Sequence, residues 1–302
     1  MFLGDDRASL RKHGPRFSVL DRGPRLCHSV ACTAVVIKRK PAIAGMTVRP
    51  RQCHSPGTGN MTYSYNQLRH ETRLISEKFG KPRFYRDLRD ELDRAASVAE
   101  SSAMVRMARD AIAGSGDSLG HGFYHARMVA IESGAIVFSE AGTGPDRDWL
   151  AELVMAAGFL HDIRRNEKDH PAKGADEARR ILAGTLDARD LDIITFAIRN
   201  HEAFKEPEFS DEHPYMLIAS SLYDADKFRW GPDNFVHTLW DMAESMNAAP
   251  EMILRFYDRG IESIVKIRDS FRTATGRTYG PEFIDIGLLI SEEVRKMLAK
   301  CS

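Results

Sequence analysis

The chain has 302 residues, with 43 Lys+Arg and 43 Asp+Glu for a formal net charge of zero, and 43% hydrophobic residues. That length holds one large domain or two small ones, and no apolar run is as long as a membrane span, so the sequence reads as soluble. The charge is uneven: residues 1–60 hold 11 Lys+Arg against 3 Asp+Glu, leaving 32 basic and 40 acidic residues in the rest, and an acidic body argues against nucleic acid as a main partner.

Three of the cysteines, Cys27, Cys32 and Cys53, lie in the first 60 residues, and Cys301 is next to last. The body therefore carries no internal disulfide framework, which suits a reducing, cytoplasmic compartment. Residues 1–60 are rich in Arg, Pro, Gly and Ser and lack helical periodicity. They read as a disordered or over-extended start ahead of a body that begins at Met61. A transit peptide is an alternative. So is a zinc site on Cys27-His28, Cys32 and Cys53-His54, although those spacings match no familiar zinc knuckle.

From Tyr63 onward the pattern is helical. Amphipathic stretches run over Asn66 to Phe79 and Phe84 to Ala96, parted by Gly80 and Pro82, and over Ser101 to Ala113, ended by Gly114 and Gly116. Gly122 to Glu140 is longer, and Asp146 to Asp162 is apolar enough to be buried on most faces. Pro171 to Ala183, Asp187 to His201 and Pro214 to Arg229 follow, then Pro232 to Ser245, Pro250 to Phe271 and Pro281 to Lys300. Pro suits the first position of a helix, and it opens several of these. No alternating strand and no internal repeat is present. The expectation is one all-α domain over residues 61–302, with a motif-bearing core at 121–228 and a helical extension at 232–300.

Helical phase shows which polar residues point inward. His125 lines up with Met128, Val129, Glu132 and Ile136, and His121 sits one turn earlier. The uncharged run Leu153–Leu160 ends on His161-Asp162. Leu191, Ile194 and Ile198 lead to His201. Ile218, Leu222 and Asp226 share a face, whereas Asp224, about 200° away round the helix, is expected to cap or to face solvent. Each burial has a plain structural explanation when taken alone. Together, His125, His161, Asp162, His201 and Asp226 are ligand types for a first-row metal, and one shared ion compensates them better than separate unmatched burials would.

The order His…His-Asp…Asp resembles the HD-domain superfamily of metal-dependent phosphohydrolases. The resemblance rests on His121-Gly-Phe-Tyr-His125, Gly158-Phe-Leu-His161-Asp162-Ile163, His170-Pro-Ala-Lys-Gly174, Asn200-His201-Glu202 and Asp224-Ala-Asp226-Lys227. It implies an HD-like helical bundle with one metal on His125, His161, Asp162 and Asp226. It also implies a second metal on His170 and His201, with Asp162 bridging. His170 serves equally as a helix cap before Pro171. Asn200 stands where the HD-GYP branch has His, the Gly-Tyr-Pro signature is missing, and Arg164 replaces the Gly that follows His-Asp-Ile, so the subfamily stays open.

Mixed His and carboxylate ligands suit Mn, Fe, Co or Ni, admit Zn and fit Mg less well. The implied activity is hydrolysis of a small phosphate ester, a nucleotide among the candidates, by a metal-bound hydroxide. For holding phosphate, Lys227 ranks first by analogy with the family's Asp-Lys pairs, then Arg164; Arg165, Arg127 and Lys173 read as surface cations. Glu202 could position water. Tyr223, Phe228 and Trp230 could wall a ring or belong to the core. Two alternatives remain: a di-iron oxygenase on the same fold, and a non-catalytic ligand-binding module. Neither a membrane nor nucleic acid is an expected partner. The C-terminal helices, with Leu239, Trp240, Met242, Ile253, Leu254, Phe256 and Ile264, either close the core or pair two subunits.

Overall fold

Two helices that are apolar all round run through the middle of the molecule, and the others wrap them. The computed structural model describes residues 64–114 and 122–301. The expectations for residues 1–60, for Met61 and for His121 fall outside the described residues. The helices are α1 (Tyr65–Glu77), α2 (Phe84–Asp87), α3 (Arg89–Ser101), α4 (Ala103–Ala113), α5 (Phe123–Glu140), α6 (Arg147–Leu160), α7 (His170–Leu182), α8 (Ala188–Arg199), α9 (Tyr215–Phe228), α10 (Leu239–Ser245), α11 (Pro250–Ile267) and α12 (Ala274–Cys301). The fold is all-α, with no strand among the described residues. No helix among them is long and apolar enough to cross a membrane.

Local chemistry sets many of the boundaries. Ser64 and Gln67 form a capping box at α1, Ser102 caps α4, and Asp187 accepts the Asp190 N–H at the start of α8. In the middle, α5 and α6 bury nearly every residue from Ala126 to Phe138 and from Leu150 to Leu160, as helices without a polar face must. They pack on each other. α3 and α9 flank α5, α4 and α8 flank α6, and α7 pairs with α8.

The C-terminal helices close the core. α12 packs on α9, α11 and α1, and Trp240, Phe283, Ile290 and Leu298 are fully enclosed. The Phe283 ring stacks on Phe228 at 4.2 Å, with Phe84 edge-on at 5.0 Å from Phe228. Phe228 is thereby a core residue. A single cluster of buried side chains runs from Leu68 to Leu298.

Several boundaries differ from the sequence expectations. The stretch from Phe84 breaks at Leu88 into α2 and α3. A π turn at Asn234–Thr238 precedes α10, and α11 ends at Ile267. Pro281 does not start a helix but lies inside α12, although its ring removes a hydrogen bond there. The reason is a long-range cap. Asp224, expected to cap its own helix or meet water, is completely buried. It accepts the backbone N–H groups of Arg272 and Thr273 and the Thr273 hydroxyl, each at 2.8 Å. Thr273 Oγ1 in turn accepts the Gly276 N–H at 2.7 Å. The helix is thus nucleated at Ala274 by a carboxylate 50 residues away in sequence.

Asp224→Ala should therefore destabilise the protein by about 3 kcal/mol, because it leaves buried donors unpaired. Urea denaturation measures this; a loss below about 0.5 kcal/mol, the scale of an ordinary surface change, would show the cap to be dispensable.

Candidate metal centre

Five helices deliver polar side chains to one buried place. α5 presents His125 from its first turn. α6 ends at Leu160, so His161 and Asp162 follow as its C-terminal residues. α7 opens with His170, His201 comes just after α8, and α9 carries Asp226 in its last turn. His161 is fully enclosed, and His125, Asp162, His201 and Asp226 are nearly so. The inward positions expected for His125, His161, His201 and Asp226 are the observed ones, and Asp162, expected at the helix end, is buried beside them.

The distances form two groups that share Asp162. In the first, His125 Nε2 and His161 Nε2 are 3.2 Å apart. Asp226 Oδ1 lies 3.3 Å from His125 Nε2 and 3.7 Å from His161 Nε2. Asp162 Oδ2 lies 3.4 Å from His161 Nε2 and 3.9 Å from His125 Nε2. In the second group the other oxygen, Asp162 Oδ1, is 3.5 Å from His201 Nε2 and 3.6 Å from His170 Nε2. His125, His161 and Asp162 could hold one metal ion, and Asp162, His170 and His201 another. Spacings in this range suit neighbouring donors on one ion, since two bonds of about 2.1 Å at a right angle separate their donors by about 3 Å.

The histidine tautomers fit the same use. His161 Nδ1 donates to the Gly158 carbonyl at 2.7 Å, and His201 Nδ1 donates to the Ile198 carbonyl at 2.6 Å. A carbonyl only accepts, so in the neutral ring the proton of each sits on Nδ1 and the Nε2 lone pair is turned to the cluster. His201 Nε2 is buried without a hydrogen-bond partner among the described residues, which is costly unless a cation meets it.

The electrostatics favour positive charge at His161 and disfavour it at His170 and His201. Burial opposes charging of His161, but the carboxylates of Asp162 and Asp226 outweigh it and push the imidazole up to about 10. Burial would raise Asp226, yet Lys227 and the two histidines hold it well below the usual carboxylate range. Burial keeps His201 low, and burial with Arg165 beside it takes His170 down to about 3.

Two glycines of the sequence motifs let the helices close on this point. A Cβ on Gly158 would stand 2.7 Å from Ala130 Cα and 2.9 Å from Ala130 N, so α5 and α6 touch backbone to backbone there. This contact sets His161 against His125. A Cβ on Gly174 would stand 3.0 Å from the His161 carbonyl oxygen. Gly174 is one turn beyond His170, and its close approach lays that histidine over Asp162.

The cations fall differently from the sequence expectation. Lys227 is buried, pairs with Asp226, and donates to the His201 carbonyl at 3.0 Å. Arg164, the second phosphate candidate, is exposed and held by Glu177 at 2.9 Å. Its neighbour Arg165, read as a surface cation, belongs to the cluster: Nη1 lies 2.8 Å from His170 Nε2 and 3.6 Å from Asp162 Oδ1. The turn closed by the Arg165 N–H on the Asp162 carbonyl at 2.9 Å brings the i+3 side chain to Asp162, while Arg164 points to Glu177. Lys173 pairs with Glu167 and Arg127 is exposed. Glu202 is buried but pairs with Lys205 at 2.6 Å. His170 is not a cap; Asp169 occupies that position.

A buried layer below the cluster was missed. Arg229 donates to Glu132 Oε1 at 2.6 Å and to Tyr85 Oη at 2.8 Å, and Tyr85 donates to the same Glu132 oxygen at 2.6 Å. Glu132 lies on the His125 stripe, which was the available signal. Its partners come from α2 and the end of α9 and have no sequence relation to it.

The described residues thus form an all-α fold with a buried His/Asp cluster able to hold a metal ion. Comparison with family models, with curated proteins and with solved structures gave no match.

Gly158→Ala should spread α5 from α6 and weaken metal affinity about 10- to 100-fold, the usual effect of disturbed ligand orientation. Gly260→Ala, where a Cβ meets nothing within 4 Å, is the control and should leave affinity unchanged. Equal metal content in titrations of both variants would refute the role given to the close approach.

Proposed function

We propose that this chain is a metal-dependent phosphohydrolase of the HD-domain type, acting on a small phosphate ester. The observation that carries the reading is the convergence of His125, His161, Asp162 and Asp226, with His170 and His201 joining through the second oxygen of Asp162. These are the residues that the sequence resemblance assigns to one and two metals. The donor set, mixed imidazole and carboxylate, suits Mn, Fe, Co or Ni, and Zn.

A bound divalent ion supplies a Lewis acid for a phosphoryl oxygen and lowers the pKa of water. The protein's own residues supply the rest. The carbonyls of Gly158 and Ile198 fix the tautomers of His161 and His201. Lys227 pairs with Asp226, and Arg165 stands beside Asp162. With the imidazoles neutral, as ligands must be, two side-chain cations balance two carboxylates. A divalent ion therefore brings a net double positive charge into a largely buried place. The dianion of a phosphate monoester matches that charge and is stabilised there as the bond to the leaving group breaks.

The shared carboxylate with imidazoles on both sides is equally what a di-iron oxygenase requires, so that reading stands second. One set of assays separates them. The purified protein should contain a first-row metal and release phosphate from p-nitrophenyl phosphate. A chelator should abolish turnover, and Mn should restore it without oxygen. Asp162→Ala should lower kcat/KM at least about 100-fold, with loss of bound metal. Iron content with substrate-dependent oxygen consumption would replace the proposal by the oxygenase, and a metal-free, inactive protein would leave a binding module.

A further inference from the structure

Arg272 is a cation beside Asn200, the residue before the candidate ligand His201. It lies just before α12 and is half-buried. Its Nη1 donates to the Asn200 carbonyl at 2.9 Å, and its guanidinium carbon lies 3.5 Å from the centre of the Tyr223 ring. It forms no ion pair among the described residues. Asp224 is near, but its oxygens are taken by the backbone N–H groups of residues 272 and 273 and by the Thr273 hydroxyl. Glu206, the other acid that acts on Arg272, stands beyond ion-pair distance.

Arg272 differs in this from the other buried cations around the site. Lys227 has Asp226, Arg165 has Asp162, and Arg229 has Glu132 and Asp233. A half-buried charge without a counter-charge costs free energy that a carbonyl and an aromatic face offset only in part. Burial accordingly pulls its guanidinium below the usual range, with Tyr223 and Asp224 pulling the other way.

The position ties it to the cluster. Asn200, whose carbonyl it holds, precedes His201. Lys227 Nζ, which pairs with Asp226, lies 4.9 Å from the centre of the same Tyr223 ring. The two cations are therefore no farther apart than the ring distances of both together. A guanidinium that shares a ring with Lys227 and has donors left over after its one carbonyl bond suits an anionic oxygen group in a fork geometry.

We infer that Arg272 anchors a second anionic group of the substrate, so that the site takes a compound with two or more phosphoryl groups, one at the metal cluster and the next at Arg272. This rests on the phosphohydrolase reading of the cluster and narrows its substrate class from simple monoesters to phosphoanhydrides and closely spaced bisphosphates. Arg272 is a binding and specificity residue rather than a metal ligand.

The test compares inorganic orthophosphate, pyrophosphate and tripolyphosphate as ligands of the metal-loaded full chain by calorimetry, in wild type, Arg272→Gln and Arg272→Lys, with metal content and thermal melting measured on each. Wild type should bind pyrophosphate or tripolyphosphate at least about tenfold more tightly than orthophosphate, the worth of one charge-assisted contact. Arg272→Gln should lose that preference while orthophosphate affinity and metal content hold, and Arg272→Lys should keep part of it. If Arg272→Gln weakens all three anions equally, or none, the residue is structural and the inference fails while the metal-centre reading survives. If wild type holds no metal and binds no phosphate, both fall together. If Arg272→Gln does not fold, Arg272→Lys decides: unchanged discrimination at lowered melting temperature overturns the inference.

Discussion

Asp162 is the constraint around which the rest is arranged. One buried carboxylate turns an oxygen to each of two imidazole groups, and of these side chains only His170 is more than slightly exposed. Burial of that many polar atoms is tolerable only if their lone pairs and protons are matched to one another or to a cation. The helices must therefore meet within tenths of an ångström. Gly158 and Gly174 permit this, because any side chain at either would push a backbone away from the cluster. The motif glycines thus act through packing distance, and their ordinary helical backbone needs no glycine freedom.

α5 and α9 carry two polar layers between them. In one, His125 faces Asp226; in the other, Glu132 faces Arg229, with Tyr85 bridging. The second layer is a buried ion pair, and such pairs contribute little net stability against an apolar alternative. What it does supply is register, since sliding α9 along α5 would break a charged contact as well as the cluster. Fixed register is what keeps Asp226 opposite His125. The same α9 also supplies Asp224 to the start of α12, so three acids on consecutive turns or faces of one region serve a metal cluster, a helix cap and, through Asp233, an arginine clamp.

Helical periodicity was a reliable guide wherever the determining contacts lie within one helix. It placed His125, His161, His201 and Asp226 inward, and it found α5 to α9 to within a residue or two. It failed where a partner came from elsewhere. Asp224 was expected to cap or to face solvent because it lies about 200° round the helix from Asp226, yet it is buried and caps the start of α12. Arg165 was read as a surface cation and Arg164 as a phosphate candidate, but the turn after Asp162 directs the farther residue back. Pro281 looked like a helix start because the true cap, Asp224, is remote in sequence. Arg272 carried no signal at all, lying between two helices in a stretch with no motif.

The amino-acid order alone determined that the chain is helical, which faces of its helices are buried, and which imidazoles and carboxylates those faces hold. Those properties follow from spacing along a single helix, where 3.6 residues per turn fix the direction of every side chain. Only the tertiary structure decided that Arg165 rather than Arg164 stands beside Asp162, that Asp224 caps α12, and that Arg272 sits beside Asn200 with no ion pair among the described residues. Those facts depend on the angle and separation between helices, and these are set by backbone contacts such as Gly158 on Ala130, between residues that no periodicity connects.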